Sequence, residues 1–304
     1  MLDILSIGTV TIDLYYKGES LTHNNERFEL AIGGKYFVDH FYEGLGGGGA
    51  NVAIGIVKNG LSCGLLAKIG NNMFKKLITE KLEAVKVEYQ HFCKYEDNYT
   101  NISSILLTDT GEKTVINYRN QHEHIIENDN DYKLVDQAQA IYMANLSMVP
   151  LKERILILKY AKEKGKRTFA NLNVADCRRS IEEIRSFLEY VDVFIINTHE
   201  FADIVKTNYR SIDFHSKIIG KYAPFRENML LVVTDSGKGS YAYYEGNVYY
   251  GKAVTGIKVF DSTGAGDAYT ASFIVHYLKT LDIQSSMKSA SIYSSKILQR
   301  IGAN

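Results

Sequence analysis

The segment DSTGAGDAYTASF, residues 261–273, places three small residues and an acidic residue at the start of an apolar helix. Gly264, Ala265 and Gly266 leave successive backbone N–H groups unobstructed, and the unpaired donors and dipole of a helix N-terminus favour an anion. On the same turn, Asp267 could accept a proton from a hydroxyl group held beside that anion. This arrangement fits phosphoryl transfer to an alcohol. The spacing alone fits equally well a capped helix whose Asp interacts with the helix dipole.

Upstream of this segment, short apolar runs rich in β-branched residues alternate with segments of helical periodicity. Such runs are typical of strands that are buried on both faces. The predicted strands are residues 4–8, 64–70, 140–144, 167–171, 191–197 and 229–234. The predicted helices are residues 51–59, 73–85, 151–164, 180–190, 199–205, 212–222, 264–281 and 284–301. This alternation predicts an α/β fold with a mostly parallel sheet between two layers of helices.

Two stretches, residues 13–44 and 99–119, interrupt this order because they alternate apolar with polar residues. The second contains Asp109-Thr110-Gly111, a hairpin signal. We expect antiparallel strands in a small separate sheet, a lid formed by about residues 13–45 and 97–121 of one domain that spans residues 1–304. The exposed face and strand edges of a small lid would be prone to associate with other chains, and pairing of two lids would cover them. We therefore expect a homodimer joined through the lid.

Composition excludes several classes of protein. The 304 residues include 35 Lys and Arg and 35 Asp and Glu, a formal net charge of zero, whereas nucleic-acid-binding domains usually carry a basic excess on one face. The N-terminus lacks a basic region and a cleavage site, and no stretch of about 18 apolar residues occurs, so we expect a cytoplasmic protein that does not bind membranes. Three widely spaced cysteines support neither a disulfide framework nor a cysteine zinc site.

Three further motifs each allow two interpretations. The glycine-rich residues 44–49 satisfy GxGxxG, but a polar segment precedes them, which disfavours a dinucleotide site and leaves a turn into the helix that begins at Asn51. Asn197 and Glu200, at a strand end, could orient water around Mg²⁺ or cap a helix. Residues 234–239, TDSGKG, could contact nucleotide phosphates or form a hairpin turn. No Walker motif GxxxxGK[ST] occurs.

In chain order, these segments resemble the ribokinase-like (PfkB) carbohydrate kinase family along nearly the whole chain. DSTGAGDAYTASF is similar to that family's signature D-T-x-G-A-G-D-x-F, with Tyr269 in place of the final Phe. GLGGGGANVAIG resembles the G-G-x-x-A-N signature, INTHE the N-x-x-E motif, and TDSGKG the T-x-G-x-x-G turn, with Ser236 where the family usually has Gly.

The resemblance implies a Rossmann-like three-layer αβα fold, ribokinase-like, with a small β-sheet lid. It also implies an ATP-dependent carbohydrate kinase that transfers the γ-phosphoryl group of Mg·ATP to a sugar hydroxyl. In that role Asp267 is the catalytic base, and the N–H groups of Gly264, Ala265, Gly266 and Asp267 form the anion hole. An ordinary Asp pKa near 3.9 implies that Asp267 is ionised at neutral pH.

The resemblance implies four further groups of residues. The substrate contacts are Asp13, Gly46, Gly47, Asn51 and Asn145. The nucleotide contacts are Asn197, Thr234, Ser236 and Gly239. Asn197 and Glu200 are implied to bind Mg²⁺ through water. A monovalent cation such as K⁺ is a further candidate ligand, and the residues that could contribute to its site are Asp261, Thr263, Arg300 and Gly302.

The phosphoryl acceptor stays open. Gly48 takes the position of a Lys found in ribokinases and in some sugar-phosphate kinases, which favours an unphosphorylated sugar. Arg119 and Lys35 in the lid are positively charged, so a phosphorylated sugar stays an open alternative. An adenosine- or inosine-like nucleoside is the alternative, because aromatic residues of the lid could stack on a base. These are Tyr36, Phe37, Tyr99 and Tyr118. A non-catalytic sugar- or nucleotide-binding protein of the same fold is a third interpretation.

Overall fold

The computed structural model describes residues 1–21, 23–24, 27–108, 113–120 and 124–304. The strands, in chain order, are β1 (Leu2–Ile7), β2 (Thr11–Lys17), β3 (His23–Asn24), β4 (Arg27–Phe28), β5 (His40–Gly46), β6 (Cys63–Leu66), β7 (Lys68–Gly70), β8 (Lys94–Glu96), β9 (Ile102–Leu107), β10 (Lys113–Tyr118), β11 (Ala138–Met143), β12 (Arg167–Ala170), β13 (Val193–Asn197), β14 (Leu230–Thr234), β15 (Ser240–Tyr244) and β16 (Asn247–Gly251). The helices are α1 (Gly48–Lys58), α2 (Lys75–Ala84), α3 (Asp129–Asp136), α4 (Leu151–Glu163), α5 (Val174–Cys177), α6 (Ile181–Leu188), α7 (Thr198–Ile204), α8 (Ala265–Thr280) and α9 (Ile283–Leu298).

The main sheet has the strand order β16-β15-β14-β13-β12-β11-β1-β6. The six neighbouring strands β14, β13, β12, β11, β1 and β6 pair in parallel. The hairpin β15–β16 adds two antiparallel strands at the β14 edge. Successive side chains of β1 enter opposite layers, because Leu5 packs into the core formed with α4, α6 and α7, whereas Ile4 packs into the core formed with α1, α8 and α9. The predicted three-layer αβα arrangement with a mostly parallel sheet is confirmed.

The lid is a second sheet, with the order β10-β9-β2-β5. Its outer pairs are antiparallel, but the central pair β2–β9 is parallel, so the expectation of purely antiparallel strands is wrong there. The chain passes through β6 and α2 of the main domain between β2 and β9, and this long connection lets it return in the same direction. The predicted turn Asp109-Thr110-Gly111 lies outside the described residues.

The predicted helix at residues 212–222 does not form. The carboxylate of Asp213 accepts a hydrogen bond from the backbone N–H of His215 at 3.0 Å, a local bond that competes with helix formation. The side chains of Phe214 and Ile218 are nonetheless buried. The apolar residues of this segment therefore anchor an irregular chain to the core, and their spacing imitates a helical period.

The predicted strand at residues 64–70 is divided, because β6 belongs to the main sheet while β7 pairs with β8 in a separate two-stranded sheet. Lys68 in β7 is buried, and its ammonium lies 2.7 Å from the carboxylate of Glu96 in β8. A buried charge needs a partner, so the chain leaves the apolar sheet where this Lys occurs.

Helix α3 was not predicted, although its capping box, Asn128 with Asp131, is a recognisable start signal.

Across the residues that the structure describes, no helix is both long enough and apolar enough to span a lipid bilayer.

Helices α1 and α8 approach each other closely, since a Cβ atom added at Gly55 would lie 2.5 Å from the Cβ of Ala271. One turn before these two residues lie Asn51 and Asp267, and the Asn51 amide donates a hydrogen bond to the Asp267 carboxylate at 2.7 Å. The small residues at the crossing therefore set the distance between these two polar groups.

We expect Gly55→Ala to lower the melting temperature, although the same change in a helix interior usually stabilises a protein by about 0.5–1 kcal/mol. The new methyl group has no room against Ala271, and overpacking of this kind typically costs about 1–3 kcal/mol. Adding Ala271→Gly should restore most of the loss, because it removes the atom that the new methyl group meets. Thermal unfolding of the wild type, both single variants and the double variant measures this, and an unchanged melting temperature in Gly55→Ala would contradict the close crossing.

Candidate active site

A cavity of about 230 Å³ lies at the carboxyl ends of β1 and β11. The strand order changes direction there, because β6 and β11 lie on opposite sides of β1, and ligands of open α/β sheets bind at such points. Its lining includes Gly8 and Thr9 after β1, Gly47 and Gly48 at the start of α1, and Asn145 after β11. The volume is below the roughly 300–1,000 Å³ of pockets for drug-sized ligands, so the cavity suits a small molecule.

The carboxylate of Asp267 lies on the first turn of α8 and accepts a hydrogen bond from the side-chain amide of Asn51. Burial raises the pKa of Asp267 to about 6, the Asn51 amide opposes this rise, and the negative charge of Asp13 adds to it. The expectation of an ordinary Asp pKa is therefore wrong for this residue. With that pKa, the carboxyl group is mainly ionised at pH 7 and basic enough to accept a proton near neutral pH.

Asn304 orients this pair and was not predicted from the sequence. Its amide donates to the side-chain oxygen of Asn51 at 3.0 Å and to the carbonyl of Leu45 at 2.8 Å. With its oxygen occupied, Asn51 must direct its NH₂ group at Asp267. No local motif indicates this contact, because 253 residues separate Asn304 from Asn51.

The turn before α8 has the shape expected of an anion-binding loop. Gly264 has φ 73° and precedes the first residue of the helix, and a Cβ atom there would lie 2.3 Å from the Cβ of Ala303. Only Gly fits this position without strain. A Cβ atom at Gly266 would meet no atom within 4 Å, so the surface beside the first N–H groups of α8 is open to a ligand.

Asp13 lies on β2 of the lid and is buried. The hydroxyl of Thr11 donates to its carboxylate at 2.9 Å. Burial raises the pKa of Asp13, while the hydroxyls of Thr11 and Ser103 and the positive charge of Arg119 lower it. A Cβ atom at Gly46 would lie 2.1 Å from this carboxylate, so glycine is required where β5 passes it. Asp13 and Gly46 are thus in close contact, and neither lines the cavity, although their chain neighbours Thr11 and Gly47 do.

Arg119 lines the cavity, and no carboxylate of the described residues lies in ion-pair contact with it. Its guanidinium donates to the carbonyls of Ile102 and Tyr118, to Ser103 Oγ and to Asn117 Oδ1. These neutral partners fix its position, and its charge interacts with the Asp13 carboxylate without a direct ion pair. Lys68, which also lines the cavity, is already paired with Glu96 and with Glu127 at 3.3 Å.

Asn197 and Glu200 form a capping box at the start of α7. The Asn197 side chain accepts from the backbone N–H groups of His199 and Glu200, and Glu200 Oε2 accepts from the backbone N–H of Asn197 at 2.9 Å. Burial raises the pKa of Glu200 to about 7, against the lowering effect of the Asn197 N–H. The capping interpretation holds, and the box uses only one of the two carboxylate oxygens, so a role towards Mg²⁺ stays a prediction.

The residues present fit a water-mediated Mg²⁺ better than a protein cage. In the part of the chain that the structure describes, no group of three or more His, Cys, Asp or Glu side chains could hold a metal ion. Mg²⁺ keeps several waters and binds one or two carboxylates together with substrate phosphates. Glu200 therefore suits the second kind of site.

The TDSGKG turn follows β14, whose last residue Thr234 pairs in register with Asn197. Ser236 has φ 46° and Gly239 has φ 103°, both in the left-handed region. A Cβ atom at Gly239 would lie 2.2 Å from the carbonyl oxygen of Gly251. The turn thus lies beside Asn197 at the carboxyl edge of the sheet, and it also leads into β15, so the two interpretations of this motif are compatible.

Asp261 and Thr263 are in contact with a residue of the lid. The Thr263 hydroxyl and backbone N–H both donate to Asp261 Oδ1, at 2.6 and 2.8 Å. The backbone N–H of Gly302 donates to Asp261 Oδ2 at 3.0 Å. The ammonium of Lys113 donates to the Thr263 hydroxyl at 2.6 Å and lies 3.6 Å from Asp261 Oδ1. A positive charge of the chain itself therefore lies where a monovalent cation was expected.

Comparisons with known proteins agree with this architecture. The family described as pfkB family carbohydrate kinase matches residues 1–304. The chain is 24% identical over 313 residues to a 5-dehydro-2-deoxygluconokinase of Lacticaseibacillus casei, covering 99% of this chain and 91% of that protein. It is 23% identical over 316 residues to the Bacillus subtilis protein of the same name, with coverage of 98% and 90%.

Solved structures share the fold. Arabidopsis thaliana ribokinase, complexed with ribose and ATP, superposes with a TM-score of 0.80 at 20% identity, covering 99% of this chain and 94% of the ribokinase. Adenosine kinase from Sinorhizobium meliloti gives a TM-score of 0.78 at 20% identity, with coverage of 100% and 95%. The predicted ribokinase-like fold is confirmed.

We expect Ser236→Gly to raise the melting temperature. A non-glycine residue in the left-handed region costs roughly 1–2 kcal/mol, and glycine removes that cost at the price of a smaller backbone entropy term. Ser236→Ala is the matched control, because alanine keeps a Cβ and should not stabilise the protein. Thermal unfolding compares the two variants, and equal shifts in both would contradict strain at this position.

Proposed function

The chain belongs to the pfkB family of carbohydrate kinases, and on that premise we propose that it transfers the γ-phosphoryl group of Mg·ATP to a hydroxyl group of a small sugar, with Asp267 as the base. The observation that carries this proposal is the position of the Asp267 carboxylate, on the first turn of α8 and hydrogen-bonded to Asn51. A base and an anion-binding helix terminus then lie on one turn, as transfer between a hydroxyl and a phosphoryl group requires.

The sugar is proposed to bind in the cavity between the lid and the end of β11. Asn145 lines the cavity together with Thr11, Gly47 and Gly48. Asp13 and Asn51 lie next to these residues outside the lining, and we propose that they offer an acceptor and an amide to vicinal hydroxyls. Binding would bring one hydroxyl within reach of Asp267. The carboxylate would accept its proton as the new O–P bond forms and the bond from the γ-phosphorus to the bridging oxygen of ADP breaks, so that ADP leaves with those electrons. The reaction proceeds through a loose transition state in most analyses, so the base needs to act only late.

The nucleotide is proposed to lie along the carboxyl ends of β13 and β14. ATP supplies the phosphoryl group when bound, with its charge partly neutralised by Mg²⁺. The backbone N–H groups of Gly264, Ala265 and Gly266 would bind the transferred group and stabilise its charge, and Glu200 would hold Mg²⁺ through water. Thr234, Ser236 and Gly239 border the remainder of the nucleotide. A chain without net charge could bind a triphosphate in this way, because the N–H groups and the dipole of a helix N-terminus favour an anion.

The features of the cavity favour a small sugar over a nucleoside. Of the four lid aromatic residues that could stack on a base, Tyr99 lines the cavity, whereas Phe37 and Tyr118 are 82% and 60% exposed. Arg119 lines the cavity and makes its hydrogen bonds to neutral groups, which favours an acceptor with a carboxylate. The name of the Lacticaseibacillus casei relative, 5-dehydro-2-deoxygluconokinase, also denotes a sugar acid. Keto and deoxy sugar acids are therefore the first candidates, followed by neutral hexoses and pentoses.

The test is ADP release from Mg·ATP in the presence of single sugars, sugar acids and nucleosides. We expect turnover with at least one sugar or sugar acid, and loss of at least about 10³-fold in kcat for Asp267→Asn, because general-base catalysis and correct charge are removed together. Asp129→Asn, an exposed change on α3, is the matched control. Near-wild-type turnover in Asp267→Asn would refute its role as base, and binding without ADP release would favour the non-catalytic alternative.

The pH profile gives a second measure of the same carboxylate. The pKa of Asp267 is about 6, so kcat/KM should rise with pH to a plateau above that value, and an inflection near 4 would contradict the burial effect. The free energy of unfolding should change with pH in the opposite direction to kcat/KM. A carboxyl group whose pKa is raised in the folded state favours folding when it is protonated. Stability is then lost as the pH rises through about 6, and Asp267→Asn should gain roughly 1–3 kcal/mol over the wild type at pH 8.

We further propose a homodimer in which the outer faces of two lids meet. By strand register, the face opposite Asp13 carries an apolar group. Its members are Leu14, Tyr16, Phe41, Leu106 and Ile116. Phe41 and Ile116 are 54% and 58% exposed, and an exposed apolar sheet is association-prone. Light scattering at micromolar protein should give twice the chain mass of 34.3 kDa, and Ile116→Asp should give the monomer. A monomeric wild type would contradict the proposal.

A further inference from the structure

Lys113 joins the lid to the loop that precedes α8. It is the first residue of β10 and pairs in register with Leu107, whose side chain is buried. This register directs Lys113 towards the main domain. Its ammonium then contacts Thr263 and approaches Asp261, residues about 150 positions away in the chain. The Lys113 side chain is 23% exposed, so this contact is largely shielded from solvent.

Asp261 is a fully buried carboxylate that needs a positive charge. Its exposure is 0%, and its hydrogen bonds come from Thr263 and from the backbone N–H of Gly302, all neutral donors. Among the described residues, Lys113 is the charged group in ion-pair distance. Burial lowers the pKa of Lys113, and the charges of Asp261 and Asp13 oppose that change. Burial raises the pKa of Tyr15, and the charges of the same two carboxylates add to that rise.

This cluster shapes the anion hole. Asp261 holds Thr263 by two hydrogen bonds, and Thr263 directly precedes Gly264, whose φ of 73° starts α8. A shift of Thr263 would therefore turn the N–H groups of the following three residues away from the phosphoryl group. Lys113 belongs to β10 of the lid and donates to the Thr263 hydroxyl, so a movement of the lid would also move this loop.

We propose that the Lys113 ammonium is the built-in monovalent cation of this loop, which orders the anion hole when the lid is in place and makes phosphoryl transfer independent of K⁺. The proposal rests on the kinase function proposed above. The residues present do not fit a free monovalent cation as well, because the Thr263 hydroxyl already accepts from one ammonium and donates to Asp261. Lys113 is thus a positioning residue that acts through Thr263 and does not touch the phosphoryl group itself.

The test compares the wild type with Lys113→Met in buffers that contain either tetramethylammonium chloride or KCl at equal ionic strength. The wild-type kcat should differ by less than about twofold between the salts, since only general screening remains. Lys113→Met should lose about 10- to 100-fold in kcat without K⁺. This is less than the roughly 10²–10³-fold cost of removing an oxyanion donor, because the N–H groups are displaced and not removed. K⁺ or methylammonium should restore a part of that loss. Lys76→Met, an 83% exposed change on α2, is the matched control.

Melting temperatures in the same two salts supply a readout that does not depend on catalysis. K⁺ should raise the melting temperature of Lys113→Met above its value in tetramethylammonium, and should leave the wild type unchanged. If Lys113→Met does not fold, Lys113→Arg retains the charge and should remain K⁺-independent with a reduced kcat. A wild type that needs K⁺ for activity, or a Lys113→Met variant with full kcat in its absence, would overturn the proposal.

The two proposals can fail separately. If no sugar, sugar acid or nucleoside gives ADP release in either salt, the kinase assignment fails. The melting temperatures still decide the role of Lys113, because an identical salt response of the wild type and Lys113→Met would overturn it.

Discussion

The close crossing of α1 and α8 at Gly55 and Ala271 is the constraint on which the rest of the site depends. It allows a hydrogen bond between Asn51 and Asp267, side chains that belong to two different segments of the chain. Two opposing effects then act on one carboxylate, because the N-terminus of α8 favours its charge whereas burial disfavours it. Burial prevails, and the pKa near 6 puts the group in the range where a general base works at neutral pH.

The lid contributes charge as well as cover. Asp13, on the inner face of β2, is balanced through Ser103 and Arg119, and Lys113 reaches the loop before α8. These charges come from strands at different positions in the lid, so opening the lid would remove several of them together. The chain has no net charge, yet its charges are not evenly spread near the cavity. The groups there that could bind an anion are backbone N–H groups and a few cations of the lid.

Local sequence patterns predicted much of the architecture. Strands buried on both faces leave continuous apolar runs, and small residues before a helix leave N–H groups open, so β1, β11 to β14 and the start of α8 could be recognised from a few neighbouring residues. The pattern was misleading at residues 212–222, where local hydrogen bonds of Asp213 outweigh an apparent helical period. It was also misleading at Lys68, where a buried charge takes the chain out of the main sheet. In both places a polar side chain, which periodicity does not count, decides the conformation.

The sequence by itself determined the fold class, the family resemblance and the residue types of a phosphoryl-transfer site, because each of these is written in contiguous segments whose chemistry is local. Only the tertiary structure decided how those residues influence one another. The orientation of Asn51 by Asn304, the raised pKa of Asp267 and the contact of Lys113 with Thr263 each join groups more than 100 positions apart. Their strength depends on burial and on distances of a few ångströms, which are properties of packing and cannot be read from neighbours in the chain.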